Sequence, residues 1–224
     1  MIYITGDTHG DQNRFFGKDS LASRLTANDY LIVCGDFGYL FRNSLSERVF
    51  LSDLERLPFT IAFVDGNHEN FPAIYAYPVI EWHGGKAHQL RKNIFHLMRG
   101  EIYEIEGKTF FTFGGAYSID RSSRTQGVTW WSEELPNEIE YKNAAENLKK
   151  SLFKVDHILT HTLPREMILR YRKHPDPHDL QLTGFLEWVM HETQFEHWWC
   201  GHWHDDQDLT EKFTILWFDV RRIE

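Results

Sequence analysis

Three apolar runs organise the first third of the chain: Ile2 to Thr5, Tyr30 to Cys34 (Tyr-Leu-Ile-Val-Cys) and Thr60 to Val64. None alternates apolar with polar residues. Unbroken apolar runs of this length are what strands covered on both faces show. Helical patterns lie between them, from about Gln12 to Leu25 and from Ser46 to Leu57, the second with Ser46 as N-cap but without the Glu of a capping box. Strand, helix, strand, helix, strand at this spacing predicts a βαβαβ unit with right-handed crossovers.

The middle reads differently. Ile94 to Met98, Ile102 to Ile105 and Thr109 to Gly114 have the pattern of antiparallel strands, the last two joined by the tight loop Glu106-Gly107-Lys108. A polar helix is predicted from Asn137 to Ser151. Val155 to Thr160 is a strand, Arg165 to Arg172 and Leu182 to Glu192 are helices, and the Pro-rich run from His174 to His178 between those helices is a loop. Glu196 to Cys200 and Phe213 to Val220 are further strands. The fold class this predicts is α/β: two mixed sheets face to face with helices outside, a four-layer αββα sandwich. With 224 residues and neither an internal repeat nor a low-complexity linker, residues 1–224 are expected to form a single domain.

Composition narrows the function. An apolar content of 42% and an aromatic content of 15% supply a core. The formal net charge of -9 argues against non-specific binding to long nucleic acid, which needs a basic face, although bound divalent cations would restore positive charge locally. No apolar run reaches the roughly 18 residues of a membrane span. The N-terminus reads as a strand rather than a signal peptide, and Cys34 and Cys200 read as small buried thiols, so a cytoplasmic location is expected.

Five short segments carry the chemistry: Gly6-Asp7-Thr8-His9-Gly10, Gly35-Asp36-Phe37-Gly38, Gly66-Asn67-His68-Glu69, Thr160-His161-Thr162 and Gly201-His202-Trp203-His204. Most end an apolar strand, where a following glycine lets a ligand approach the backbone. Two carboxylates, an amide and four imidazoles so placed suit a pair of divalent metals. Asp7 and His9 can turn toward one ion if the chain bends at its flanking glycines. Asp36, alone at its strand end, is the natural bridge. Asn67 offers an uncharged oxygen, His202 and His204 can reach different ions from a bent loop, and His161 completes the set. His68, next to a ligand, is the candidate general acid. Turn and capping chemistry explains Asp, Asn and Gly here, but not four histidines at the same rim.

These segments resemble the calcineurin-like metallophosphoesterase superfamily, whose pattern is D-x-H, G-D, G-N-H-(E/D), H and G-H-x-H. The match runs from Asp7 to His204. The stretch Phe113-Gly114-Gly115-Ala116-Tyr117-Ser118-Ile119-Asp120-Arg121 looks like bacterial and phage-type members of unassigned specificity. The resemblance implies that one metal takes Asp7, His9, Asp36 and His204 and the other Asp36, Asn67, His161 and His202. It implies that a metal-bridging hydroxide attacks phosphorus, and that His68 serves as leaving-group acid or phosphate donor. Mn, Fe, Zn and Ni all suit such nitrogen and oxygen ligands. Phosphate mono- or diesters of small molecules are the expected substrates; the oligomeric state is open.

The resemblance also carries rivals. A nuclease of the same superfamily would need a basic groove. A phosphoprotein phosphatase would carry Asp-Arg-Gly after its Gly-Asp and Arg before Gly-Asn-His-Glu, where this chain has Phe37 to Phe41 and Asp65. The opening Gly-Asp-x-His-Gly-Asp is shared with dinucleoside tetraphosphate hydrolases. A non-catalytic binding scaffold would have lost ligands or the acid, and this chain keeps both. Arg121, Arg124 and Tyr117 are candidate substrate contacts, since Arg121 and Arg124 follow the flexible Gly114-Gly115, and Arg42 is a further candidate. Trp130-Trp131 is read as an anchor for the helix that follows. Trp203 is read as a wall of the site. His83, His88, His96, His157, His174, His178, His191 and His197 match no motif and are assigned to core or surface.

Overall fold

The computed structural model describes residues 1–223. The strands are β1 (Ile2–Thr5), β2 (Tyr30–Cys34), β3 (Thr60–Val64), β4 (Val79–Trp82), β5 (Gly85–Arg91), β6 (Ile94–Leu97), β7 (Ile102–Ile105), β8 (Lys108–Phe113), β9 (His157–Thr160), β10 (His197–Cys200), β11 (Gln207–Thr210), β12 (Phe213–Ile215) and β13 (Val220–Ile223). The helices are α1 (Leu21–Arg24), α2 (Leu45–Leu54), α3 (Phe71–Tyr75), α4 (Glu138–Lys150), α5 (Arg165–Arg170) and α6 (Leu180–Glu192). Two mixed sheets result, ordered β13-β1-β2-β3-β6-β5-β4 and β11-β12-β10-β9-β8-β7. No helix among the described residues is long and apolar enough to cross a membrane.

The unbroken apolar runs are explained by where alternate residues go. Leu31 and Val33 of β2 pack outward with Phe50, Leu51 and Leu54 of α2, while Ile32 and Cys34 face the opposite sheet and join Leu159 and Trp199. In β10, Trp198 and Cys200 pack with residues of α4, α5 and α6, and Trp199 lies between the sheets. Helices, sheet, sheet and helices therefore stack as four layers, and both faces of each central strand are dry. Strands β1, β2 and β3 run parallel, as do β8, β9 and β10, so within each sheet the C-terminal ends of these strands share one edge.

Several local expectations are corrected. The helix expected from Gln12 to Leu25 is a single 3-10 turn, Gln12–Arg14, followed by α1, because Gly17 and Asp19 adopt φ of 134° and 62°, which no helix accommodates. Helix α2 starts one residue before Ser46 and does have a capping box: Ser44 Oγ accepts from the Glu47 N–H and Glu47 accepts from the Ser44 N–H. The strand Ile94–Leu97 pairs parallel with β3 as well as antiparallel with β5, and β8 pairs parallel with β9 as well as antiparallel with β7. The expected strand from Phe213 to Val220 is two: β12 belongs to one sheet, and β13 returns to pair with β1 in the other. The Asp206 carboxylate turns the chain between them by accepting from the N–H groups of Trp217, Phe218 and Asp219 at 2.7, 3.0 and 2.9 Å. Strands β4 and β5 and helix α3 were not expected from the pattern. The hairpin is closed by His83-Gly84, both at positive φ.

Two core histidines give the fold a pH dependence. Burial lowers the pKa of His88 and of His157 to about 4, with repulsion from His96 adding to it at His88. Their ordinary value is 6.5. Between these values the unfolded chain binds protons that the folded one refuses, so stability falls as pH falls through this window. Urea denaturation at pH 5 is expected to give a stability on the order of 1–2 kcal/mol lower per histidine than at pH 7. The variant His157→Phe should show a flatter dependence, and an unchanged slope in that variant would contradict the assignment.

Candidate metal centre

The five segments converge. Asp7 follows β1, Asp36 follows β2, Asn67 follows β3, His161 follows β9 and His202 follows β10. Asp7, Asp36, Asn67 and His161 are buried, whereas His9 and His204 are exposed. The site thus has a floor of carboxylate, amide and imidazole and a rim of two further imidazoles.

Two groups of ligand atoms can be distinguished. In the first, His204 Nε2 lies 3.2 Å from Asp7 Oδ2 and 2.8 Å from His9 Nε2, and His9 Nε2 lies 3.7 Å from Asp36 Oδ2. In the second, Asn67 Oδ1 lies 3.1 Å from His161 Nε2 and 3.0 Å from His202 Nδ1, and His161 Nε2 lies 3.5 Å from Asp36 Oδ1. Asp36 contributes a different oxygen to each group.

Positioning is local and costly. His9, Asp36, His202 and His204 all have left-handed backbones, with φ of 46°, 48°, 68° and 49°. Such conformations cost about 1–3 kcal/mol each for non-glycine residues and cluster where function requires them. Hydrogen bonds hold them. The His9 N–H donates to the Asp36 carbonyl at 2.8 Å, the His202 N–H to Asp7 Oδ1 at 2.9 Å and the His68 N–H to Asp36 Oδ1 at 2.7 Å. The glycines before the ligands leave room for them. A Cβ on Gly35 would lie 2.1 Å from His161 Nδ1, and one on Gly201 would lie 2.1 Å from Asp7 Oδ1.

The donor chemistry fits a divalent metal. His161 Nδ1 sits 2.9 Å from the Cys34 carbonyl, which can only accept, so Nδ1 carries the hydrogen and Nε2 is turned to Asn67 and Asp36. There it meets oxygens that also accept. Burial opposes a charge on His161, but Asp36 and Asp7 outweigh it and push the pKa up to about 10. Burial disfavours the Asp36 carboxylate too, yet the three histidines around it, His161, His68 and His9, hold it well below the usual range. The pocket thus selects positive charge at the point where a cation would sit. His202 stays neutral, lowered to about 3 by burial and by His161, and so keeps a lone pair for a ligand.

Around this centre, sequence reasoning missed the supports. Asn67 Nδ2 donates to Ser118 Oγ at 3.1 Å, and Ser118 donates to the buried Glu134, which fixes the Asn67 oxygen toward the histidines. Glu69 Oε1 accepts from the Phe37 N–H at 2.7 Å, and burial together with the Asp36 charge raises its pKa well above the ordinary value. Asp65 is ion-paired to Arg99 and lies 3.1 Å from His96 Nε2. Glu69 and Phe37 lie within the motif segments, but the contacts of Ser118, Glu134, Arg99 and His96 follow no motif spacing.

The candidate substrate residues are placed differently from one another. Arg124 Nη2 lies 2.9 Å from His68 Nε2 and 2.8 Å from Asp120. Arg121 is committed to Glu134 at 2.7 Å and lies between the rings of Tyr117 and Trp130. Tyr117 stacks on His178 with centroids 4.4 Å apart. Trp130 therefore holds Arg121, and Trp131 packs edge-on against Phe41. Trp203 lines the cavity beside His202.

Residues 1–206 match the family described as calcineurin-like phosphoesterase. The chain belongs to that family. Among solved structures, this family member resembles a Staphylococcus aureus protein named as a 5'-nucleotidase and solved with alpha-ketoglutarate, at 15% identity and a TM-score of 0.49. The alignment covers 96% of this phosphoesterase-family chain and 48% of the other, so the chain spans about half the length of that relative. The curated proteins contain no match.

Replacing Gly201 by Ala is expected to displace Asp7 and weaken metal binding by about 10–100-fold, the range for a disturbed ligand support. Gly184→Ala, where an added methyl meets nothing within 4 Å, should keep the wild-type metal content. Elemental analysis of the dialysed proteins reads both, and equal metal in the two variants would contradict the geometry.

Proposed function

We propose that the chain is a phosphoesterase working with two divalent ions, of Mn, Fe, Zn or Ni, on small phosphate mono- or diesters. The supporting observation is the Asp36 carboxylate, whose Oδ1 and Oδ2 face separate ligand groups. Asp7, His9 and His204 would hold one ion with Asp36; Asn67, His161 and His202 would hold the other. Bound there, such ions ionise water near neutral pH and offset the charge that grows on the phosphoryl oxygens.

The remaining residues act on the ester itself. His68 has its backbone N–H on Asp36 Oδ1, so its ring is anchored beside the centre. Burial lowers its pKa, and the Arg124 charge adds to this against the pull of Asp36. It is therefore neutral until an anion arrives. A phosphate that displaces the Arg124–His68 contact supplies that anion, favours proton uptake on the imidazole and leaves it ready to protonate the departing oxygen. Arg124 holds a phosphoryl oxygen and turns phosphorus toward the imidazole.

With an aryl phosphate and its bis-ester as substrates, the manganese-loaded protein is expected to turn over at least one; failure on both with metal bound would overturn the reading. Asp36→Asn should lower activity by about 10³-fold or more through loss of the shared charge. His68→Gln should keep both metals and lose about 10²–10⁴-fold, most with poor leaving groups.

A further inference from the structure

Two clefts open on the centre, one from His9 and the other from His202 and His204. The smaller, of about 320 Å³, runs from His9 past Tyr39 and Phe41 to Arg42 and Ser46 at the start of α2. The larger, of about 750 Å³, runs from His202 and His204 along Trp203 and Ile168 to the loop around His174. His68 lines both. Each lies within the roughly 300–1,000 Å³ typical of a small-molecule site. A phosphate monoester has one organic substituent and would leave one of these clefts to solvent. A diester has two.

The charges point the same way independently. A monoester is close to a dianion at neutral pH, with a second pKa of about 6, whereas a diester carries a single charge. The Arg42 guanidinium of the smaller cleft and the Lys173 ammonium of the larger have no carboxylate partner among the described residues, whereas the two arginines nearest the larger cleft's acidic wall are ion-paired. Arg121 is ion-paired to Glu134, and Arg124 is shared between His68 and Asp120. The larger cleft is lined by Lys173 but also by Asp120, Asp176 and Asp179. That wall disfavours a second negative charge, and so disfavours a polyphosphate chain or a nucleic-acid strand lying along it. Its apolar part, formed by Trp203, Ile168 and Ile119, suits an uncharged or cationic group.

Resting on the phosphoesterase reading, we infer that the substrate is a small phosphodiester, with one substituent in each cleft and the one against Trp203 uncharged or cationic. Water adds its oxygen to phosphorus and gives one proton to solvent, the bond from phosphorus to one ester oxygen breaks, and that oxygen leaves as an alcohol with the proton from His68, which solvent then restores. The product monoester carries an additional charge, which the carboxylates lining the larger cleft disfavour.

The test compares p-nitrophenyl phosphate with bis-p-nitrophenyl phosphate in turnover, and phenyl phosphate with diphenyl phosphate in calorimetric binding to the metal-loaded protein. The diester of each pair is expected to be preferred by about 10-fold or more in kcat/KM and in Kd. Ser46 is exposed at the mouth of the smaller cleft. Filling that cleft with Ser46→Trp should cut the diester preference by about 10-fold while leaving monoester turnover within about twofold. Gln12→Trp, reaching the same cleft from its other side, should do likewise if the first variant folds poorly. Turnover of both esters with the monoester preferred, or a diester preference unmoved in both filled variants, would overturn the inference while leaving the phosphoesterase reading in place. Turnover of neither would remove that reading first.

Discussion

Asp36 sits 1% exposed at the end of a parallel strand, and the rest of the site is arranged around its charge. An ionised carboxylate taken out of water costs several kcal/mol unless opposite charge and hydrogen bonds compensate. Here the compensation comes from both sides. The His68 N–H donates to one oxygen, and His161 and His9 approach Oδ1 and Oδ2 respectively. A group of this kind is stabilising only while those partners stay in place. The fold meets that demand with strand ends from both sheets, so the site ties the two halves of the sandwich together.

The same constraint marks the backbone. Four of the candidate ligand residues, His9, Asp36, His202 and His204, hold left-handed conformations where the five segments meet. The strain persists because Asp7 and Asp36 accept hydrogen bonds from the neighbouring segments, and because glycines at positions 35 and 201 admit side chains where a methyl would collide. The ligand set and the turns that carry it are therefore one structure, and altering either disturbs both.

Much of this was legible in the sequence. The dry central strands were visible as unbroken apolar runs, and the residues that the fold brings together stood out because polar, metal-competent side chains followed those runs at the same place. What escaped detection depended on contacts distant in sequence. Asn67 is oriented by Ser118 and Glu134, 51 and 16 residues along successive links, and no local pattern marks them. The Asp206 turn that sends the last strand back to β1 reads as ordinary loop polarity, which is why one strand was expected where two occur. The edge strand β4 alternates exposed and partly buried residues, a weak signal beside the central runs. Helix expectations failed at Gly17 and Asp19, where backbone conformation overrode side-chain periodicity.

The larger consequence concerns how substrate is chosen. The family pattern accounts for the centre, whereas the clefts are built by segments the pattern leaves unspecified: the turn before α2, the stretch around Tyr117, and the loop before α6. Arg121 illustrates the point, since it is spent on holding Glu134 and the aromatic stack that shape one wall. On the proposed reading, selectivity would arise from the shape of the two clefts and from the carboxylates that line the larger one. If Asp36 joins two metal positions, anomalous scattering from a crystal grown with manganese will locate both. Two peaks are expected, one beside each Asp36 oxygen, with Asp7, His9 and His204 around the first and Asn67, His161 and His202 around the second. A single peak, or manganese bound away from Asp36, would rule out a shared carboxylate.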